Sequence, residues 1–167
     1  VMNAGAYGGE MKDILKEVRV MDQEGTILTL SAEELELGYR TSIVKKKGYI
    51  VLSADLELAP GNREEIKAKM EDLKERRVSK QPLELPSAGS TFKRPEGYFA
   101  GKLTMDAGLR GFTVGGAQIS EKHCGFVVNK GDATAEDVVT LIREVQRQVK
   151  DRFGVELETE VKFLGEF

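Results

Sequence analysis

Apolar positions along this chain change their period several times, and each change marks an expected element. In LKEVRVMDQEGTILTLS, Val18 and Val20 alternate with charged residues and Gln23-Glu24-Gly25 breaks the run. Ile27, Leu28 and Leu30 then resume, the pattern of two strands around a polar turn. Ser31 with Glu34 three residues later is a capping box, which predicts one or two helical turns in SAEELEL. KKKGYIVLSADLEL is apolar at Tyr49, Ile50, Val51 and Leu52 and alternates through Leu56 and Leu58, so a long β-rich run is expected there. Asn62 as N-cap and Glu65 at the third helical position open a helix over PGNREEIKAKMEDLKERR, with Ile66, Met70 and Leu73 on one face. Its dense charges are of both signs and read as a solvated face, not a nucleic-acid patch.

The texture shifts near residues 76 to 80, which marks a boundary between two lobes. Beyond it, YFAGKLTMDAGL predicts a short helix ending at glycine, GFTVGGAQIS a turn and strand, and KHCGFVVN an apolar strand. The clearest helix lies in ATAEDVVTLIREVQRQVKDRFG. Thr134 caps it with Asp137 three residues on, Val138, Leu141, Ile142, Val145 and Val149 form one stripe, and Gly154 follows the last turn. The tail VELETEVKFLG alternates like a final strand.

Composition narrows the class. The chain has 167 residues, 40% hydrophobic and 32% charged, and a formal net charge of −3, so nothing global points to nucleic acid or an anionic membrane. A single cysteine forbids an internal disulfide and suits a reducing, cytoplasmic setting. No apolar run approaches the roughly 20 residues of a membrane span. The chain opens on Val1, and VMNAGAYGGE runs straight into a glycine-rich turn, which reads as a piece whose upstream sequence lies elsewhere.

Several residues carry candidate chemistry. NAGAYGG has neither the lysine nor the hydroxyl of a phosphate-binding P-loop, and VGGAQIS reads as a tight turn or bulge. On a strand, His123 and Cys124 would point to opposite faces and could not pair, and they make a poor metal-ligand set, so no metal is expected. In PSAGSTFKRP, Ser90 stands between a glycine and the cations Lys93 and Arg94. Its hydroxyl either bonds its own turn or serves as an acid beside positive charge. Arg40 in LGYRTSIVK, where a helix hands over to a strand, is an ion-pair partner or an anion clamp. Glu160 in LETEVKFLG is an exposed strand rung or a functional carboxyl.

Taken in order, NAGAYGGE, YRTS, KQP, PSAGSTFKRP, AGKL, VGGAQISEKH, GFVVNKGDATAEDV and LETEV resemble the UDP-N-acetylenolpyruvoylglucosamine reductases, flavoenzymes of peptidoglycan synthesis. The shortness of the stretch between Arg40 and Ser90 resembles the second, shorter class of that family. The resemblance implies an α+β fold. Residues 1–78 would be the back part of a FAD-binding domain whose N-terminal half is absent, and 79–167 a substrate-binding domain whose final strand returns toward the first lobe.

It also implies roles by motif. Ser90 matches the family's proton donor, Arg40 the arginine that polarises the substrate carboxylate, and Glu160 the glutamate completing the catalytic set. Tyr39, Lys80, Lys93, Arg94 and His123 fall where substrate is bound, with Arg94 standing where the longer class has asparagine. Asn3, Gly5, Ala6 and Tyr7 fall near the flavin ring. The implied cofactors are FAD and NADPH, and the implied substrate is UDP-N-acetylglucosamine enolpyruvate. A UDP-sugar-binding module without redox chemistry is the alternative for a chain lacking the flavin-binding half.

Overall fold

The computed structural model describes residues 1–166 and divides the chain into two compact units, Val1–Leu73 and Lys74–Phe167. Both mix helices with antiparallel strands, so the fold is α+β. The division falls inside a helix, a few residues before the boundary expected from composition.

The first unit opens with a small hairpin, β1 (Gly5–Ala6) and β2 (Gly9–Glu10). Tyr7 and Gly8 form its turn with φ of 52° and 86°, the left-handed pair that a two-residue hairpin requires. The predicted hairpin follows as β3 (Leu15–Met21) and β4 (Ile27–Ser31). Its turn is held by Asp22, whose Oδ1 accepts from Glu24 N at 3.0 Å and Thr26 N at 2.7 Å. A third strand, β5 (Ile50–Leu56), pairs with the other edge of β3 to give the order β4-β3-β5. One face of this sheet packs Val18 and Val20 against Leu35 and Val44.

One expectation is met at its lower limit here and one needs correction. The capping box forms, with Ser31 N donating to Glu34 and Glu34 N to Ser31 Oγ, yet SAEELEL makes only one turn. Glu36 takes a φ of 47°, which stops helical propagation at once. The strand expected from KKKG onward begins only at Ile50, because Ile43–Lys47 forms a short helix, α1, closed by Gly48 in the left-handed region. Five residues are too few to display a helical period, and β-branched Ile43 and Val44 imitate a strand.

Helix α2 (Arg63–Lys80) starts where Asn62 predicts, its Oδ1 accepting from Glu64 N and Glu65 N. It has no buried residue, so Ile66 and Met70 stand exposed instead of forming a core face.

The second unit is a four-stranded antiparallel sheet of order β6-β9-β8-β7, from β6 (Ser87–Ser90), β7 (Thr113–Val114), β8 (Ala117–Ile119) and β9 (Phe126–Asn129). The long helix α4 (Ala135–Phe153) buries Val139, Leu141, Ile142, Val145 and Val149. That stripe shares one core with Ala117, Ile119, Val127, Phe92 and Leu103, the last from α3 (Ala100–Asp106). The apolar stripe read from sequence therefore faces the sheet.

The α4 cap is reciprocal: Thr134 Oγ1 accepts from Asp137 N at 3.1 Å, and Asp137 Oδ2 accepts from Thr134 N at 3.0 Å. The same carboxylate also accepts from Gly116 N at 3.3 Å, tying helix to hairpin. These backbone donors, Thr134 first, hold the Asp137 carboxyl below its usual range. Further along α4, Arg147 and then Gln148 draw the Glu144 carboxyl down to about 2. A depressed native pKa means stability that is present above the ordinary carboxylate range, near 4, and lost as pH falls through the native value. Chemical denaturation should therefore show stability falling as pH drops from the ordinary range toward about 2. Asp137→Asn should lessen that fall, and an unchanged pH slope in the variant would refute the assignment.

Two further corrections concern the second unit. His123 and Cys124 precede β9 in a turn and are not on the strand. Cys124 drops into the core while His123 stays exposed. The tail is not a regular strand either: among the described residues it makes a single bridge, Phe92↔Thr159. Alternation supplies the side-chain pattern, but a strand also needs a partner ladder, and among the described residues only the backbones of Thr91 and Lys93 bond to its backbone from a neighbouring segment.

Candidate active site

Ser90 ends β6, and its placement comes from a backbone irregularity. Between the pairs Ser87↔Val128 and Ser90↔Phe126 the β6 strand carries one residue more than β9, a bulge. Gly89 occupies it with φ of 83°, which a side-chain-bearing residue adopts only at a cost, and so the glycine before Ser90 has a structural reason. Immediately beyond, Thr91 and Phe92 are buried. Thr91 N donates to Gly125 O at 2.9 Å and Thr91 Oγ1 accepts from Val127 N at 3.0 Å. An exposed serine thus stands between a bulge and two anchored residues, a rigid mounting for a hydroxyl that faces solvent.

Glu160 is brought beside this mounting. Its N–H donates to Thr91 O at 2.8 Å, and Lys93 N donates to Glu158 O at 2.8 Å. Gln146, on α4, fixes the approach of the tail by donating from Nε2 to Leu157 O at 2.8 Å, with Leu157 buried. The two candidate residues Ser90 and Glu160 therefore share one frame.

The motif's cations are engaged elsewhere. Lys93 Nζ is ion-paired with the Glu158 carboxylate, and the Arg94 guanidinium lies 4.0 Å from the centre of the Phe99 ring. The chain leaves β6 after Ser90 and meets the tail, whose acidic residue takes the lysine.

His123 is held by its surroundings. Nδ1 accepts from Gly125 N at 3.0 Å and the ring meets Phe126 edge-on at 5.0 Å. A Cβ on Gly125 would lie 2.9 Å from Cε1, so glycine is required for the ring to seat. In the neutral ring this bond leaves the proton on Nε2 as an outward donor. Buried Ser120 shapes the same turn, accepting from the N–H groups of Lys122 and His123 at 3.2 Å each. Lys80 is the last residue of α2.

In the first unit, Tyr39 and Arg40 are the two residues of a turn closed by the Gly38↔Thr41 bridge. Arg40 has φ of 54°, an uncommon conformation for a residue with a long side chain and a frequent one at functional positions. Its guanidinium lies 5.1 Å from the Tyr39 ring centre. Asn3 is buried, donating to Glu10 Oε2 at 2.7 Å and accepting from Lys12 N at 3.1 Å. Its amide therefore works inside the hairpin. The Glu10 carboxyl is held below its usual range by Lys12 first, then Asn3, with a smaller contribution from the charge of Arg40. Gly5 and Ala6 form β1, and Tyr7 is 49% exposed at the turn. A Cβ on Gly8 or Gly9 would meet nothing within 4 Å, so this hairpin offers bare backbone that a planar group could lie against.

The family model for UDP-N-acetylenolpyruvoylglucosamine reductase, C-terminal domain, matches residues 81–164, the segment that contains both Ser90 and Glu160. This chain belongs to that reductase family. The reductase of Lachnoclostridium phytofermentans is 66% identical over 99% of this chain and 53% of its own length. That of Agathobacter rectalis is 65% identical over 100% of this chain and 53% of its own length. The crystal structure of the reductase (MurB) from Thermus caldophilus superposes with a TM-score of 0.81 at 40% identity, covering 95% of this chain and 57% of that one. The chain thus spans about half the length of the family members it matches. Sequence reading missed Gln146, Ser120 and the anchoring role of Thr91. None has a local signal, since each acts through backbone groups that only folding brings near.

Proposed function

We propose that this chain is the C-terminal part of a FAD- and NADPH-dependent reductase, acting in the bacterial cytoplasm. It would convert UDP-N-acetylglucosamine enolpyruvate to UDP-N-acetylmuramate for peptidoglycan synthesis. The observation that carries the reading is the match to named reductases at 66% identity over 165 residues, running through both units.

Asn3, Gly5, Ala6 and Tyr7 would lie against the flavin, with Asn3 shaping the hairpin from within. When bound, the flavin reduced by NADPH supplies a hydride to C3 of the enolpyruvyl group. Negative charge then develops at C2 and spreads into the substrate carboxylate. Arg40, always charged and able to bond a carboxylate through two N–H groups, stabilises that charge. Glu160 bonds the enolic oxygen, and Ser90 gives its proton to C2. The serine alkoxide left behind needs donors. Lys93 would reach it by leaving Glu158, whose carboxylate is 68% exposed while the Lys93 side chain is 21% exposed. Tyr39, Lys80, Arg94 and His123 are the residues for the remainder of the sugar nucleotide.

The test compares this chain with a full-length reductase carrying the same sequence. NADPH should bleach the flavin of the full-length protein, and the enolpyruvyl sugar nucleotide should restore it. This chain alone should lose flavin on gel filtration and oxidise no NADPH, because few contacts would have to order a large ligand. A chain that stayed yellow would overturn that division of labour. A full-length protein that bound the sugar nucleotide without reoxidation would favour a UDP-sugar-binding module, the reading suggested by the chain's spanning half of its relatives.

A further inference from the structure

Glu160 can serve beside Ser90 only if the tail holds one register, yet the tail is barely paired. Among the described residues its backbone meets the Ser90 mounting at the single bridge Phe92↔Thr159. Two bonds flank that bridge, Lys93 N to Glu158 O and Glu160 N to Thr91 O, each 2.8 Å. A slip of one residue would exchange the groups that face the mounting and turn the Glu160 carboxyl to the opposite side. Segments held by so few backbone bonds open at small cost.

The register is pinned from the other side, by α4. Glu158 O accepts from Lys93 N, while the carbonyl just before it, Leu157 O, accepts from Gln146 Nε2 at 2.8 Å. The Leu157 side chain is buried in the core that α4 shares with the sheet. Gln146 is itself half-buried and stands on a rigid stretch of α4, between fully buried Val145 and Val149. A second helix-to-tail contact, Lys150 with Glu156 at 2.6 Å, is 61% and 76% exposed, and so open an ion pair contributes little. The carbonyl of a buried residue is costly to leave without a donor. Without the Gln146 amide the tail would shift to hydrate it, and Glu160 lies only three residues on.

We propose that Gln146 is a positioning residue for the reduction: its side-chain amide fixes the register of residues 157–160, and with it the place of the Glu160 carboxyl relative to Ser90. It acts through the tail and not on the substrate. This deepens the reductase reading above and rests on it.

The test uses the full-length, flavin-loaded reductase. Gln146→Leu removes the donor at nearly constant length, and Gln146→Glu removes it at constant shape, since the carboxyl is ionised at neutral pH. In both, flavin bleaching by NADPH should be unchanged. Reoxidation by the enolpyruvyl sugar nucleotide should slow by about tenfold to a hundredfold, the range that a misplacement near 1 Å produces. Amide exchange in residues 155–161, measured without substrate, should quicken by about tenfold or more. The α4 peptide, residues 135–153, should stay protected, and if it does not in one variant the other decides. Gln146→Lys returns a donor and should bring both readouts back toward wild type, while Lys150→Ala should leave both unchanged.

Quickened exchange with normal reoxidation overturns the proposal, because the register would then not matter to the chemistry. Slowed reoxidation with unchanged exchange also overturns it, because Gln146 would then act on the substrate itself. Equal slowing of both half-reactions, or equal slowing by Lys150→Ala, would mark a merely structural role. A wild-type protein that the sugar nucleotide fails to reoxidise sinks the reductase reading, whereas exchange tests the pinned tail without turnover.

Discussion

Ser90→Ala in the full-length reductase should leave flavin bleaching by NADPH nearly unchanged and slow reoxidation by the enolpyruvyl sugar nucleotide by several orders of magnitude. The first half-reaction needs no proton at substrate C2. The second loses its acid, and general-acid catalysis together with charge stabilisation accounts for factors of that size. Substrate affinity should change by less than about tenfold, since one solvent-facing hydroxyl adds little ground-state binding. The bulge at Gly89 and the anchors Thr91 and Phe92 do not depend on the Ser90 side chain, so the variant should fold as the wild type does. Arg40→Lys should differ in kind, weakening substrate binding as well as turnover, because a two-pronged clamp becomes a point charge. Stopped-flow absorbance separates the half-reactions. If Ser90→Ala slowed both equally, or neither, Ser90 would be a turn residue whose hydroxyl serves the backbone.

Gly116→Ala should be among the most destabilising single substitutions in the second unit. Gly116 lies where the β7–β8 turn meets the loop leading into α4, with Lys130 N donating to Gly116 O at 2.9 Å. A Cβ there would stand 2.2 Å from Gly131 O and 2.5 Å from Ala133 N. These are backbone atoms, so no rotamer change can relieve the contact. Displacing the loop would also break the bond from Gly116 N to Asp137 and loosen the α4 cap. The loss should be at least as large as for Leu141→Ala, a fully buried residue whose truncation is expected to cost on the order of 2–5 kcal/mol. Urea unfolding of both variants at neutral pH gives the comparison. A Gly116→Ala variant within about 1 kcal/mol of wild type would show that the loop relaxes freely.

What the sequence determined by itself is local. Helix α4 is readable from Thr134 to Gly154 because its cap, stripe and stop all lie within one continuous segment. The hairpin of β3 and β4 is readable for the same reason, as alternating runs flank a polar turn. The motifs around Ser90, Arg40 and Glu160 point to the reductase family, which the family match and the relatives' identities bear out. Only the tertiary structure decided how these pieces stand. Ile43–Lys47 is helical because Gly48 can close it in the left-handed region, a choice invisible to a pattern five residues long. The alternating tail fails to become a strand because, among the described residues, only the backbone of the short stretch Thr91–Lys93 bonds to its backbone from a neighbouring segment, and it approaches that stretch on a bond from Gln146. Glu160 meets the Ser90 mounting through one backbone hydrogen bond to Thr91 O. Residues so far apart in sequence share no periodic window, and a backbone group carries no side-chain identity, so only the fold could join them.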